Sequence, residues 1–120
     1  MILHITTYEE WEKAQLEGEF TAPSLKSEGF IHCSTIEQAA DTANIFFKGQ
    51  KGLALLCIDE NKLKSECKYE NPTTGGKHEP GAGNLFPHIY GTINISALIK
   101  AVDYPADENG FYELSREIMI

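Results

Sequence analysis

The sequence predicts a single α+β domain in which two short helices pack on small twisted sheets. Three observations predict it. The chain has 120 residues, 42% of them apolar or aromatic, enough for one core. Two stretches carry helix signals, and both lie in the first half. Short β-favouring segments dominate the second half, without a regular alternation of strand and crossover helix.

Ile2, Leu3, His4, Ile5 and Thr6 form an apolar stretch that reads as the first strand. Thr7 opens a helix. With Glu10 it makes a capping box, and Glu9, Glu10 and Glu12 suit the positive end of the helix dipole. Gly18 ends this helix, and residues 19–29 are turn-rich. Residues 30–33 return to a short strand. Thr35 and Gln38 form a second capping box. Ile36, Ala39, Ala40, Ala43, Phe46 and Phe47 then follow the helical i, i+3, i+4, i+7 spacing as one apolar face, and Gly49 closes the helix.

Residues 53–58 are six consecutive apolar residues. That is short for a helix and predicts a central strand buried on both faces. Residues 59–64 read as a turn or one helical turn, and 67–70 as another strand. Residues 71–84 hold four glycines and two prolines. They read as an unstructured loop, of a length at which loops are often functional or mobile. Residues 86–93 form a strand whose Pro87 marks its start or a sheet edge. Asn94 caps a turn at 96–98, and 99–104 is a strand stopped by Pro105. The tail from 105 is either a hairpin or a short helix.

Ten Lys and Arg stand against eighteen Asp and Glu, a net charge of −8, and Arg116 is the single arginine. This balance argues against nucleic acid and against an anionic membrane surface as partners. No apolar run approaches a membrane span, and the N-terminus lacks the pattern of a secretion signal. Cys33, Cys57 and Cys67 are odd in number and have no CxxC spacing. They predict a reducing compartment and a cytoplasmic protein without disulfides.

Of the four histidines, His4, His32 and His88 lie within apolar segments, where histidine is an unusual filler, and the fourth is His78. In an extended chain Phe30, His32 and Ser34 share one side, and so do His88 and Tyr90. Histidine suits proton transfer and recognition of ribose hydroxyls. Tyr90 can stack on a planar ring or donate its hydroxyl. Glu70, just before the glycine loop, is either a solvated acid or a carboxylate that stabilises a cation or takes a proton. Gly91 allows close approach of a ligand or a neighbouring backbone. The glycine spacing matches neither GxGxxG nor the P-loop. His32 and Cys33 point to opposite sides of a strand and no HxxxH or HExxH spacing exists, so no metal site is expected. Cys57 lies in the apolar run, where burial makes a thiol inert.

His4 on the first strand, Trp11 on the first helix, the segment EGFIHCS from Glu28 to Ser34 and FPHIYG from Phe86 to Gly91 carry a resemblance. The chain resembles the small bacterial family catalogued as domain of unknown function 952. That family is similar to the ADP-ribosyltransferase-like fold, which binds NAD in a central cleft between two small mixed or antiparallel sheets. The resemblance implies that His4 touches the adenosine ribose. It implies that the segment from Phe30 to Thr35 lies beside the nicotinamide, and that His88 and Tyr90 lie near the catalytic acid. The chain departs from arginine-type members of that fold in having His4 on its first strand. Where many transferases carry a catalytic glutamate it offers His88, with Glu70 nearby.

The expectation is an NAD-dependent transferase or glycosidase acting at the nicotinamide–ribose bond. His88 or Glu70 takes the polar catalytic role. His4, Thr6, Phe30, His32, Ser34, Thr35 and Tyr90 bind the ligand, with His4 and His32 orienting it and Tyr90 stacking on it. The acceptor is water, a protein or a small molecule. Two other readings stand beside it: a binding module for a nucleotide-like metabolite, and a metal-dependent hydrolase built on the histidines.

Overall fold

The computed structural model describes residues 1–71, 73–74, 77–78 and 85–113. In chain order the elements are β1 (Ile2–Thr7), α1 (Tyr8–Glu17), β2 (Glu19–Phe20), α2 (Pro23–Glu28), β3 (Ile31–His32), α3 (Ile36–Phe46) and β4 (Leu53–Ile58). There follow β5 (Glu66–Glu70), β6 (Thr73–Thr74), β7 (Lys77–His78), β8 (Phe86–Tyr90), β9 (Ile93–Asn94) and β10 (Leu98–Asp103). The α+β expectation holds, with antiparallel pairing throughout the described strands.

The apolar run became the middle strand of the sheet β1-β4-β10, and all six of its residues are buried. Alternation along this sheet feeds two cores. Ile2, Leu56 and Ile58 face one side, where Phe20, Ile31, Ile89 and Ile93 join them. Leu3, Ile5, Leu55 and Cys57 face the other, against Ala39 and Ala43 of α3 and against Tyr104 and Tyr112. Full burial of one such aliphatic side chain is worth about 1.5–3 kcal/mol, so this sheet anchors the fold.

A second sheet has the order β3-β8-β5. A backbone bridge links the two sheets. Leu3 and Ser34 exchange both backbone hydrogen bonds at 2.8 Å, so the chain just after β3 borders β1. Pro87 is the second residue of β8, at its start as expected, but β8 is the central strand and not an edge. Its missing N–H costs little there, because β3 is only two residues long. The Pro87 carbonyl still accepts from the Cys33 N–H at 3.0 Å. The expected strand over 86–93 breaks at Gly91, and Ile93–Asn94 pairs separately with β2.

There are three α-helices among the described residues, one more than expected. The addition is α2, within the stretch read as turns. It has Pro23 in its first turn, Ala22 as an N-cap without a side-chain bond, and Gly29 closing it at φ 91°. A six-residue helix with no polar cap leaves almost no periodic signal. The two expected caps formed differently from each other. Thr7 Oγ1 accepts from the Glu10 N–H at 3.2 Å, but the Glu10 carboxylate turns to the Thr6 hydroxyl at 2.8 Å. At α3, the Thr35 N–H donates to Gln38 Oε1 at 3.0 Å, as a capping box requires.

The loop read as unstructured contains the two-residue strands β6 and β7, and its glycines lie outside the described residues. The chain from 104 to 113 has neither hairpin strands nor a helix, and residues 114–120 lie outside the described part. Tyr112 is fixed by Asn44, which bonds its carbonyl at 2.8 Å and its N–H at 2.7 Å.

Candidate functional site

A cavity of about 340 Å³ opens between the edge of β1, the β3 segment and α3. His4, His32 and His88 all line it, so three histidines from three strands converge. Ser34 and Thr42 add hydroxyls, and Phe46, Phe47 and Phe86 add aromatic surface. Glu28 completes the polar wall, and the described lining holds neither lysine nor arginine. A broader depression of about 680 Å³ runs past Lys51, Asp103, Asp107 and Glu108. It is larger, but its described lining contains no histidine or cysteine, so the histidine cavity is the candidate site.

Each imidazole has its tautomer set by an acceptor. His4 donates through Nδ1 to the His32 carbonyl at 2.5 Å. His32 donates through Nε2 to Glu28 Oε2 at 2.8 Å. His88 donates through Nδ1 to Glu70 Oε1 at 3.0 Å. In the neutral rings the remaining nitrogens are acceptors: Nε2 of His4, Nδ1 of His32 and Nε2 of His88. Burial holds the His4 pKa down to about 4, against the pull of its backbone bond, so this ring is neutral at physiological pH.

The His32 and His88 rings meet edge to face, 5.4 Å between centroids. Phe30 stacks on His88 at 4.2 Å and 20°, which fixes the plane of that ring. Behind His88, the Tyr90 hydroxyl donates to the same Glu70 oxygen at 2.5 Å. That bond, ahead of burial, pushes the Tyr90 pKa up to about 12. Glu70 Oε1 thus accepts from both His88 and Tyr90.

Several expectations change. Glu70, Tyr90 and Phe30 are not among the lining residues; they form the layer behind His88. Tyr90 is committed to Glu70, with Lys68 over its ring at 4.8 Å, so it is not the stacking surface. The aromatic residues on the cavity wall are Phe46, Phe47 and Phe86. Thr6 does not line the cavity, because its hydroxyl is spent on Glu10, and Thr35 is taken up as the N-cap of α3. Ser34 does line it and donates to Thr42 at 3.3 Å. Phe46, read as part of the apolar face of α3, is 68% exposed at the cavity. Glu28 stood in the EGFIHCS segment, but only its contact with His32 reveals a role. The His78 side chain lies outside the described residues. Among the described residues no group of three or more His, Cys, Asp and Glu is arranged to hold a metal.

Residues 5–101 match the family described as protein of unknown function (DUF952). The chain belongs to this family. The DUF952 match contains His32, His88, Glu28 and Glu70, and His4 lies one residue before it. The chain is also similar to a crystal structure of protein CC0527 from Caulobacter crescentus. The two are 30% identical over 99% of this chain and 98% of that one, with a TM-score of 0.83. A solution NMR structure of CC0527 is 32% identical over 94% and 91%, with a TM-score of 0.76. No curated protein matches the chain. No helix among the described residues is long and apolar enough to cross a membrane.

Proposed function

We propose that this DUF952 protein is an ADP-ribosyltransferase-like enzyme that takes NAD as substrate and breaks the nicotinamide–ribose bond. The observation that carries the proposal is the convergence of His4, His32 and His88 on one cavity, with Glu70 behind His88. Breaking the bond builds positive charge on the ribose. A cavity walled by acceptor nitrogens and the Glu28 carboxylate, with neither lysine nor arginine in its described lining, favours such a centre and disfavours phosphate inside it. At about 340 Å³ the cavity is near the lower limit of small-molecule sites. That suits a nucleoside end, with the remaining nucleotide outside. In this reading Phe46, Phe47 and Phe86 cover the nicotinamide ring, His4 accepts from a ribose hydroxyl, and the His88–Glu70 pair faces the developing cation.

One observation favours a second reading, a nucleotide-binding module without turnover. Glu70 stands behind His88 and not on the cavity wall, so no described carboxylate from β5 or β8 faces the ligand.

The deciding experiment is titration of the purified protein with NAD while released nicotinamide is followed by chromatography. Release establishes the enzyme, and binding without release establishes the module. No binding at millimolar NAD removes this substrate.

A further inference from the structure

Two of the cavity's histidines are paired with carboxylates, and the NAD reading uses only one of these pairs. The Glu70–His88 pair is interior, with the His88 side chain 1% exposed. The Glu28–His32 pair stands at the mouth, with the His32 side chain 43% exposed. Glu28 lies at the C-terminal end of α2 and His32 on β3, four residues apart, with Gly29 turning the chain between them. Because Glu28 accepts from Nε2, the neutral His32 ring carries its lone pair on Nδ1. Among the described residues nothing hydrogen-bonds that nitrogen. A histidine oriented by a carboxylate, with its second nitrogen available and its ring open to solvent, has the arrangement of a general base.

We propose that His32, oriented by Glu28, is the base that takes the proton from the incoming acceptor. The inference rests on the NAD reading and names the half of the reaction which that reading leaves open. With water as acceptor, its oxygen bonds to C1′ of the ribose and one of its protons passes to Nδ1 of His32. The C1′–N bond breaks, and its electron pair stays on the pyridine nitrogen, which leaves as neutral nicotinamide. The products are ADP-ribose, nicotinamide and a proton, so atoms and charge balance. Glu28 is a positioning residue: it sets the tautomer and steadies the imidazolium that forms.

The test uses the whole chain, NAD and sodium azide, an acceptor that has no proton to lose. His32→Gln lowers nicotinamide release in water by on the order of 10²-fold. Azide restores release from that variant and gives a ribosyl azide, while it leaves the wild-type rate little changed. Glu28→Gln gives a smaller loss in the same direction, also restored by azide, and serves if His32→Gln does not fold. Undiminished release by both variants, or a loss that azide does not restore, overturns the role of His32 and leaves the NAD reading standing. A wild-type protein that releases no nicotinamide overturns the NAD reading, and this inference with it.

Discussion

The Nδ1–H of His4 on β1 donates to the backbone carbonyl of His32 on β3, 2.5 Å away, across the join between the two sheets. This bond makes one residue of the cavity also a structural tie. Its ring is 7% exposed and sits edge-on to Phe20 at 5.1 Å.

Acid should therefore weaken the fold through His4. Its pKa falls from 6.5 to about 4 in the folded chain, with burial the largest cause. Between those values the unfolded state binds the proton and the folded state does not. Stability is thus complete above about pH 6.5 and declines as pH falls towards 4, by up to about 3 kcal/mol from this group. Urea unfolding at pH 7 and pH 4.5 measures the difference, and His4→Asn should reduce it. An unchanged difference in the variant would assign the acid sensitivity elsewhere.

Glu70→Gln should act on Tyr90 before it acts on anything else. Replacing the carboxylate by an amide weakens the hydrogen bond that is the largest cause of the raised phenol pKa and removes the charge repulsion, so the value should move from about 12 towards 10. NMR titration of labelled tyrosine reads this directly. Nicotinamide release, where present, should fall in the same variant, because His88 loses its charged partner.

How much of this was legible in the sequence depended on how each residue is held. The strand over 53–58 was visible because six apolar residues in a row have few other solutions. The convergence of three histidines was suggested by their apolar neighbours, but convergence is a property of β1, β3 and β8 meeting, and no spacing encodes that. Phe46 was legible as part of an apolar face, but not as part of the cavity wall. Helical periodicity identifies a face and says nothing of whether a core or a cavity lies opposite it. Glu28 gave no separate signal, since one acid among eighteen is ordinarily solvated.

Phe46→Ala separates the site from the fold. The ring is 68% exposed, so stability should change by less than about 1 kcal/mol. Affinity for NAD should fall, because the cavity loses one of its aromatic walls. Calorimetric titration beside thermal unfolding distinguishes the two effects. Equal affinity would take Phe46 out of the site.

Gly91 should tolerate no side chain. A Cβ there would overlap Ser65 Oγ and come 2.9 Å from Ser65 Cβ, at a φ of 155°. Ser65 is itself held by the Thr92 carbonyl at 2.6 Å. Gly91→Ala is expected to cost about 1–3 kcal/mol by overpacking. Adding Ser65→Gly should recover part of that loss in denaturant unfolding, and no recovery would place the cost in the backbone.

The thiols should be slow. Burial raises the pKa of Cys33 and Cys57, and that of Cys67 reaches about 11. A disulfide reagent at pH 8 should label the folded chain far more slowly than the urea-unfolded chain. Fast labelling of the native protein would show that one of these sites opens readily.

The partition of the β1-β4-β10 sheet between two cores has a consequence for the fidelity of pairing. Sliding a strand by one residue exchanges its faces. In most sheets that error exposes oil to water and corrects itself. Here both faces of β4 are apolar, so hydrophobicity alone penalises the slip weakly. The discrimination falls on β1, where His4 and Thr6 alternate with Leu3 and Ile5. Moved to the opposite face, His4 would lose the His32 carbonyl and Thr6 would lose Glu10. The imidazole that serves the cavity thus also acts as a proofreading element for the alignment of the sheet.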